Sequence, residues 1–270
     1  MKYYQGKCVY ITGGSSGIGL EADRMLASSG ARIVIFGRDL KKLEAACNEI
    51  ETRVVSPQQR IFKMQMDVSD HVDVEKKITA VTKEFGVPDI LINSAGIGHA
   101  DYFENITYEK FNEVILINFY GTRNVIAALL PYMKQRGGHI VNVSSMLGLI
   151  GIFGYTTYSA SKFAIIGFSE CLRSELKRYD MHVSVFCPPE VDTPMTDYMA
   201  GSSPRETRAL VRMTGLMSAE KAARILLAGI RRKKFLIVPG FLSKWFYLNK
   251  KLNPALTRII TDMIVTFTKQ

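Results

Sequence analysis

Tyr158 and Lys162 stand four residues apart in Tyr158-Ser159-Ala160-Ser161-Lys162, and Ser145 closes an apolar run thirteen residues before the tyrosine. On a helix, residues i and i+4 share a face, so an ammonium can lie beside a phenol and favour its ionised form. A free phenol titrates near ~10, too high for ready proton exchange at neutral pH, and a neighbouring cation is one way to make it an acid. A serine hydroxyl can both donate and accept, which suits it to holding a carbonyl oxygen. The chemistry open to this trio is protonation of a carbonyl while it is being reduced.

Reduction needs a hydride source, and the sequence offers a place for one. Thr12-Gly13-Gly14-Ser15-Ser16-Gly17-Ile18-Gly19 follows a β-branched run and opens a helical pattern. Glycines there permit a tight turn and let a pyrophosphate approach the helix N-terminus, whose unpaired N–H groups and dipole favour an anion. Taken alone, the turn could also serve packing only. Gly13, Ser15, Ser16, Gly17, Ile18 and Gly19 are the candidate dinucleotide contacts. Past the second apolar run, Phe36-Gly37-Arg38-Asp39 places glycine where an NAD-preferring protein usually carries an acid for the ribose hydroxyls. Arg38 can pair with a 2′-phosphate and stack on adenine; Lys42, one helical turn on, can add charge or simply face solvent. The expected cofactor is NADPH/NADP+.

A regular framework must hold these residues. From Cys8 to Val238 short β-branched runs alternate with helical stretches, which predicts an α/β fold: a single-domain, Rossmann-type doubly wound parallel sheet of about seven strands with helices on both faces. Strands are expected at Cys8 to Thr12, Arg32 to Phe36, Arg60 to Gln65, Ile90 to Asn93, His139 to Ser144, His182 to Cys187 and Phe235 to Val238. Helices are expected at Gly17 to Ser29, Leu40 to Thr52, Val72 to Phe85, Tyr108 to Lys134, Thr157 to Tyr179 and Ala219 to Arg231. Between Val191 and Met217 the alternation breaks, with Pro194, Gly201, Pro204 and Gly215 punctuating short helical pieces. A lid over substrate is expected there, within one domain spanning residues 1–270 that ends in a basic amphipathic segment at about 240–270.

The chain has 270 residues, 47% of them apolar, enough for one large core. Cys8, Cys47, Cys171 and Cys187 are dispersed and form no CxxC pair. Buried free thiols in a reducing, cytoplasmic setting are therefore expected, and neither these nor the scattered histidines suggest a metal site. The N-terminus reaches the first strand within a few residues and carries no signal-like apolar stretch, so no secretion signal is expected. The longest apolar runs, such as Phe235 to Val238 and Phe241 to Leu248, fall well short of the ~20 residues that span a bilayer, which predicts no transmembrane helix.

Net charge is +10, yet residues 205–270 hold 14 Lys/Arg against 3 Asp/Glu, an excess of +11, while residues 1–204 sum to −1. After Pro254, Leu256, Ile259, Ile260, Met263, Ile264 and Phe267 recur at helical spacing and form one apolar face. Arg231-Arg232-Lys233-Lys234 precedes it, as does Trp245-Phe246-Tyr247 between Lys244 and Lys250. The pattern fits peripheral contact with an anionic membrane surface, or equally a helix that covers the core or a partner subunit. Nucleic acid is not an expected partner, because no base-reading module accompanies the charge.

Thr12-Gly13-x-x-x-Gly17-x-Gly19, Asn93-Ser94-Ala95-Gly96, Asn118, Ser145 and Tyr158-x-x-x-Lys162 occur in the order found in short-chain dehydrogenases/reductases, and the chain resembles that family from end to end. The resemblance implies that Tyr158 protonates the carbonyl oxygen, Ser145 holds it, Lys162 binds the ribose hydroxyls and lowers the phenol's pKa, and Asn118 anchors a water that returns protons. It further places Asp67 and Val68 near adenine, Asn93, Ala95 and Gly96 along the cofactor, and Pro188, Val191 and Thr193 near the nicotinamide, with Tyr158 and Lys162 also touching the cofactor. One departure is Pro188-Pro189-Glu190, where the family usually has Pro-Gly. Pro189 removes an N–H and fixes φ, which predicts an altered backbone path beside the nicotinamide. Of the neighbouring candidates, Ser144 should point away from Ser145's side, since strand residues alternate faces, and Tyr155 has no lysine four residues on and is expected to pack.

The double proline, Gly151-Ile152-Phe153-Gly154-Tyr155-Thr156-Thr157-Tyr158 and Glu206-Thr207-Arg208 resemble the 3-ketodihydrosphingosine reductase branch. That implies NADPH-dependent reduction of a lipophilic ketone, 3-ketodihydrosphingosine to dihydrosphingosine, in sphingolipid synthesis. Alternatives are another hydrophobic carbonyl, such as a 3-oxoacyl chain or a steroid, or a non-catalytic NADPH-sensing regulator. Candidate pocket segments are Gly98 to Phe103, Gly148 to Tyr155 and Pro194 to Met217. By resemblance, a homodimer or homotetramer is expected, paired through the two long helices.

Overall fold

The computed structural model describes residues 2–212 and 215–268, less the side chains of 200, 202, 209–212, 260, 264, 267 and 268. Its first half runs β1 (Cys8–Thr12), α1 (Gly17–Ala27), β2 (Arg32–Gly37), α2 (Leu40–Glu51), β3 (Ile61–Gln65), α3 (His71–Phe85), β4 (Ile90–Asn93), α4 (Tyr108–Ile115), a π turn (Leu116–Tyr120) and α5 (Gly121–Met133). Then come β5 (Gly138–Val143), α6 (Thr156–Leu176), β6 (Met181–Phe186), β7 (Val191–Asp192), α7 (Pro194–Ser202), α8 (Arg205–Arg212), β8 (Met217–Ser218), α9 (Ala219–Arg231), β9 (Leu236–Ile237), α10 (Phe241–Leu252) and α11 (Pro254–Thr268).

Seven strands form one parallel sheet in the order β3-β2-β1-β4-β5-β6-β9. The central strands read as unbroken apolar runs because both faces of a parallel sheet are covered. Alternation along them divides the core. Val9, Ile11, Ile33 and Ile35 meet Leu26, Leu43 and Leu226 of α1, α2 and α9. Tyr10, Val34, Phe36 and Leu91 turn the other way, toward Ile78, Leu129 and Leu172 of α3, α5 and α6. Each such large side chain contributes about 1.5–3 kcal/mol by leaving water. Helix starts are fixed by caps: the Asp39 carboxylate accepts the Lys42 N–H at 3.1 Å, and that of Asp70 accepts the Val72 N–H at 2.9 Å. The chain winds outward from β1 to β3, then crosses to β4 and winds the other way. The crevice at the strand ends between β1 and β4 is where such sheets take ligands.

Several details differ from the sequence reading. The 191–217 excursion is clasped at its base by β7 and β8, pairing Val191 with Met217 and Asp192 with Ser218, a ladder too short to leave a periodicity. A helix at Phe241–Leu252 was not among those expected. The continuous helix Tyr108–Met133 is, by length and composition alone, apolar enough to cross a bilayer, a longer stretch than the runs on which the expectation of no transmembrane helix rests; half of its apolar window is buried inside the protein. Its apolar side meets α3 and α6.

Candidate active site

The turn after β1 and the loop after β4 are built to touch. Thr12 Oγ1 accepts the N–H groups of Ser94 and Ala95, each at 3.2 Å. Gly13 has φ +70°, and a Cβ there would lie 2.9 Å from the Ala95 backbone, so only glycine fits. A Cβ on Gly19 would run into the Gly13 carbonyl oxygen. Helix α1 begins at Gly17 with Ser16 as N-cap, whose side chain makes no capping bond, so the first-turn N–H groups face the crevice unclaimed by a cap. Ser16, Gly17 and Ile18 line that crevice. An uncapped helix N-terminus in a glycine cradle with no room for side chains fits the pyrophosphate of a dinucleotide.

The same cavity, about 250 Å³, reaches Ser145, Tyr158 and Lys162. Ser145 lies two residues past the end of β5 and accepts the Leu147 N–H at 3.1 Å, opening the 3-10 turn Met146–Gly148. Ser144 Oγ instead donates to the Lys162 carbonyl at 2.9 Å, in keeping with the alternation expected of the pair. Tyr158 and Lys162 lie in the first turns of α6, 8% and 4% exposed. Lys162 Nζ donates to the Val143 carbonyl at 3.0 Å and lies 5.5 Å from the centre of the Tyr158 ring. Burial lowers the Lys162 pKa to about 8. Burial also pushes the Tyr158 phenol above its ordinary value, Tyr155 adds to the rise, and the Ser145 hydroxyl pulls against it. Burial thus acts on the phenol in the direction opposite to the acidification expected from Lys162. The raised value keeps the proton on the phenol, the form that a reduction consumes.

Asn118 occupies the π turn between α4 and α5, a feature common at functional sites. Its amide donates to Ile97 O at 2.9 Å and Ser161 Oγ at 3.0 Å, while its oxygen accepts the Ile97 N–H at 2.8 Å. The side chain thus pins the loop that carries Gly96, where a Cβ would come 3.6 Å from Lys162 Nζ. Ala95 and Gly96 line the cavity, whereas Asn93 donates to Asn142 at 2.9 Å in the sheet interior. Pro188, Val191 and Thr193 also line it. Despite the second proline the segment stays docked: Met146 N–H donates to Pro188 O at 2.9 Å, and Thr193 packs on Gly17.

Arg38 borders a separate cleft with Ser69, Asn112 and Leu116, beyond the edge of the main cavity. Gln65 holds its carbonyl at 2.8 Å, Ser15 Oγ approaches the adjacent Gly37, and Asp67 accepts from the Ser69 N–H and hydroxyl at 2.9 and 2.7 Å. Val68 packs on Gly121 beside them. Lys42 is exposed and does not line either cavity.

The sequence reading missed part of the far wall. Met195 and Met199 of α7 fall within the expected lid, and Ile150 and Ile152 within the expected pocket segments, but Ser243 and Phe246 of α10 and Thr257 and Thr261 of α11 do not. Tyr155, expected to pack and at the end of the expected pocket segment Gly148 to Tyr155, does both: it is buried in an apolar cluster with Tyr158 and Met199 and lines the cavity. Thr257 is 6% exposed, whereas Leu256, Ile259 and Met263 are 38%, 54% and 52% exposed. Among its described side chains, α11 thus turns Thr257 inward and Leu256, Ile259 and Met263 out, the reverse of what amphipathic spacing suggests in a water-soluble helix. Ile260, Ile264 and Phe267, also on the expected apolar face, lie outside the described side chains.

Comparison with known proteins agrees with this geometry. The short chain dehydrogenase profile matches residues 7–202. The 3-dehydrosphinganine reductase of Danio rerio is 36% identical over 223 residues, 82% of this chain and 67% of that protein. Levodione reductase superposes with a TM-score of 0.78 at 27% identity, covering 87% of this chain and 95% of that one. An alcohol dehydrogenase from Thermococcus sibiricus, complexed with 5-hydroxy-NADP, does so with a TM-score of 0.73 at 25% identity, covering 87% and 96%. A profile that runs through the cradle and the Ser145, Tyr158 and Lys162 cluster makes this chain a member of the short-chain dehydrogenase/reductase family, an oxidoreductase that works with NAD(P)(H) on a small-molecule substrate.

Proposed function

We propose that the protein reduces a lipophilic 3-keto amino alcohol, with 3-ketodihydrosphingosine as the best-fitting substrate, using NADPH. The observation that carries this reading is the continuity of one cavity from the glycine cradle, past Ser145 and Tyr158, to an apolar wall that includes Ile150, Ile152, Met199 and Phe246. A long alkyl chain needs such a wall, and the likeness to the Danio rerio 3-dehydrosphinganine reductase points to the same chemistry.

When bound, the dinucleotide supplies hydride to the carbonyl carbon. Tyr158 gives its phenolic proton to the carbonyl oxygen, and Ser145 holds that oxygen by a hydrogen bond. Lys162 steadies the phenolate left behind and reaches the ribose hydroxyls, and Asn118 keeps the Gly96 loop, and with it the Lys162 site, in register and hosts the proton-return water. Arg38 selects NADPH by pairing with the 2′-phosphate, since no acid stands at Gly37 to repel it. Asp67 and Val68 frame the adenine, with Lys42 adding charge nearby; Ala95 and Gly96 run along the cofactor over a loop that Asn93 anchors from the sheet; and Pro188, Val191 and Thr193 frame the nicotinamide.

Helices α7 and α8 act as the lid. Thr207 Oγ1 donates to Phe153 O at 3.0 Å, and the Tyr102 hydroxyl donates to Glu206 at 3.2 Å, latching α8 onto the pocket loops. The C-terminal pair rests on a membrane: Phe241, Trp245, Leu248 and Leu252 form an outward stripe at helical spacing on α10. Lys250, expected on that surface, instead lies inward over Phe163 and bonds Leu149 O at 2.5 Å, while Phe246 and Tyr247 pack on the core. Subunits pair through α5 and α6 as a homodimer or homotetramer, which light scattering tests. The functional reading is tested by NADPH oxidation across a ketone panel containing 3-ketodihydrosphingosine, 3-oxoacyl chains and a steroid, with NADH in parallel; preference for another ketone, or no turnover of any, overturns it.

A further inference from the structure

Two charged side chains line the main cavity among the described residues, Lys162 and Glu190. Lys162 is engaged by the Val143 carbonyl. Glu190 is held very differently. Its backbone is clamped on both sides: Met146 N–H donates to Pro188 O at 2.9 Å and Met217 N–H donates to Glu190 O at 3.0 Å. Two prolines stiffen the approach by fixing φ, and Val191 is locked into the β7–β8 ladder. The side chain is thus carried on a rigid stretch of wall. It is half-buried, and among the described residues no lysine, arginine or histidine pairs with it and no donor bonds its carboxylate.

A partly desolvated carboxylate without a protein partner has lost some of its hydration, and a cation brought to it restores favourable contact. Burial raises the Glu190 pKa, and its charge reaches the Tyr155 phenol, which burial first and Glu190 second push up to about 12. Tyr155 in turn packs with its ring centre 6.2 Å from that of Tyr158. The acid is therefore within electrostatic reach of Tyr155, the ring beside the proton donor, in a cavity whose other wall residues are mostly apolar. A ketone bearing a primary ammonium on the carbon next to its carbonyl would bring a cation into that neighbourhood whenever its oxygen lies at Tyr158.

We propose that Glu190 is the residue that recognises the substrate's ammonium, making the site selective for α-amino ketones over uncharged ketones of the same chain length. This rests on the functional reading above and deepens it. The interaction is a charge-assisted hydrogen bond, strong enough to shift selectivity by about 10- to 100-fold.

The experiment compares 3-ketodihydrosphingosine with its deamino analogue in the NADPH-oxidation assay, for the parent, Glu190→Gln and Glu190→Asp. Expected is a drop of about 10- to 100-fold in the ratio of kcat/KM, amino over deamino, for Glu190→Gln, carried mainly by KM, with Glu190→Asp recovering much of it. An unchanged ratio, an equal loss on both ketones, or a change confined to the KM for NADPH overturns the proposal. In parallel, dihydrosphingosine and its deamino analogue are titrated into each protein saturated with NADP+. Amine-selective binding that Glu190→Gln abolishes supports the proposal even if no ketone is turned over, a result that would sink the functional reading alone.

Discussion

Val9, Ile11, Ile33 and Ile35 in the central strands are fully buried, while Phe241 of α10 is 84% exposed and Leu252 74% exposed. The two regions also differ in charge, −1 over residues 1–204 against +11 over residues 205–270. In the sheet, apolar periodicity reports what faces the interior. In the C-terminal pair the pattern is mixed: hydroxyls of Ser243, Thr257 and Thr261 line the cavity beside Phe246, while Phe241, Leu252, Ile259 and Met263 point out. One region is thus covered by its own chain, and the other leaves large apolar side chains exposed. The comparison teaches that an apolar stripe on a helix does not by itself say which side is inside.

Breaking the contrast at its chemical centre should have the largest effect. Tyr158→Phe removes the proton donor but little volume, and should lower ketone reduction by about 10²–10⁴-fold while leaving NADPH binding, followed by fluorescence, nearly intact. Next comes the adenosine edge of the cofactor region: Arg38→Leu should raise the KM for NADPH by about 10- to 100-fold and leave that for NADH almost unchanged, as steady-state kinetics will read. Equal effects on both cofactors would remove Arg38 from 2′-phosphate recognition. On the other side of the comparison, Phe241→Ser with Leu252→Ser should weaken cosedimentation with anionic vesicles by about 10-fold and spare turnover of a water-soluble ketone. Unchanged vesicle binding would reassign the stripe to a subunit contact.

The smallest effect sharpens the buried side. Asp23 in α1 is fully buried beneath Gly14, and neither carboxylate oxygen has a partner among the described residues. Burial holds its pKa well above the carboxylate range. The folded protein therefore keeps a proton that the unfolded chain releases, so this residue's contribution falls as pH rises above the unfolded carboxyl value of about 4. Asp23→Asn should flatten that decline and raise Tm at pH 7 by on the order of a few degrees, measured by calorimetry from pH 5 to pH 8. An unaltered pH slope would show that the carboxyl is not what the core strains against.

The sheet, its helices and the cluster of Ser145, Tyr158 and Lys162 were legible because each depends on short-range rules. β-branched runs make covered strands, glycines with no room for Cβ mark the cradle, and the i, i+4 relation brings tyrosine and lysine onto one face. Less was legible where distant segments meet. The two-residue strands β7 and β8 join residues more than twenty apart, and nothing local announces them. Lys250 reads as a surface charge, yet its long stem lets it fold over Phe163 onto the Leu149 carbonyl.

The sequence alone determined which groups are available: a phenol, an ammonium and a hydroxyl in fixed order, a glycine turn, and a carboxylate after two prolines. Only the tertiary structure decided their working states. Desolvation in a shared cavity raised the Tyr158 pKa and lowered that of Lys162 to about 8, and the fold left Glu190 lining that cavity with no ion-pair partner among the described residues. Burial and partner geometry are properties of contacts between remote segments, and they govern charge more strongly than spacing along the chain does.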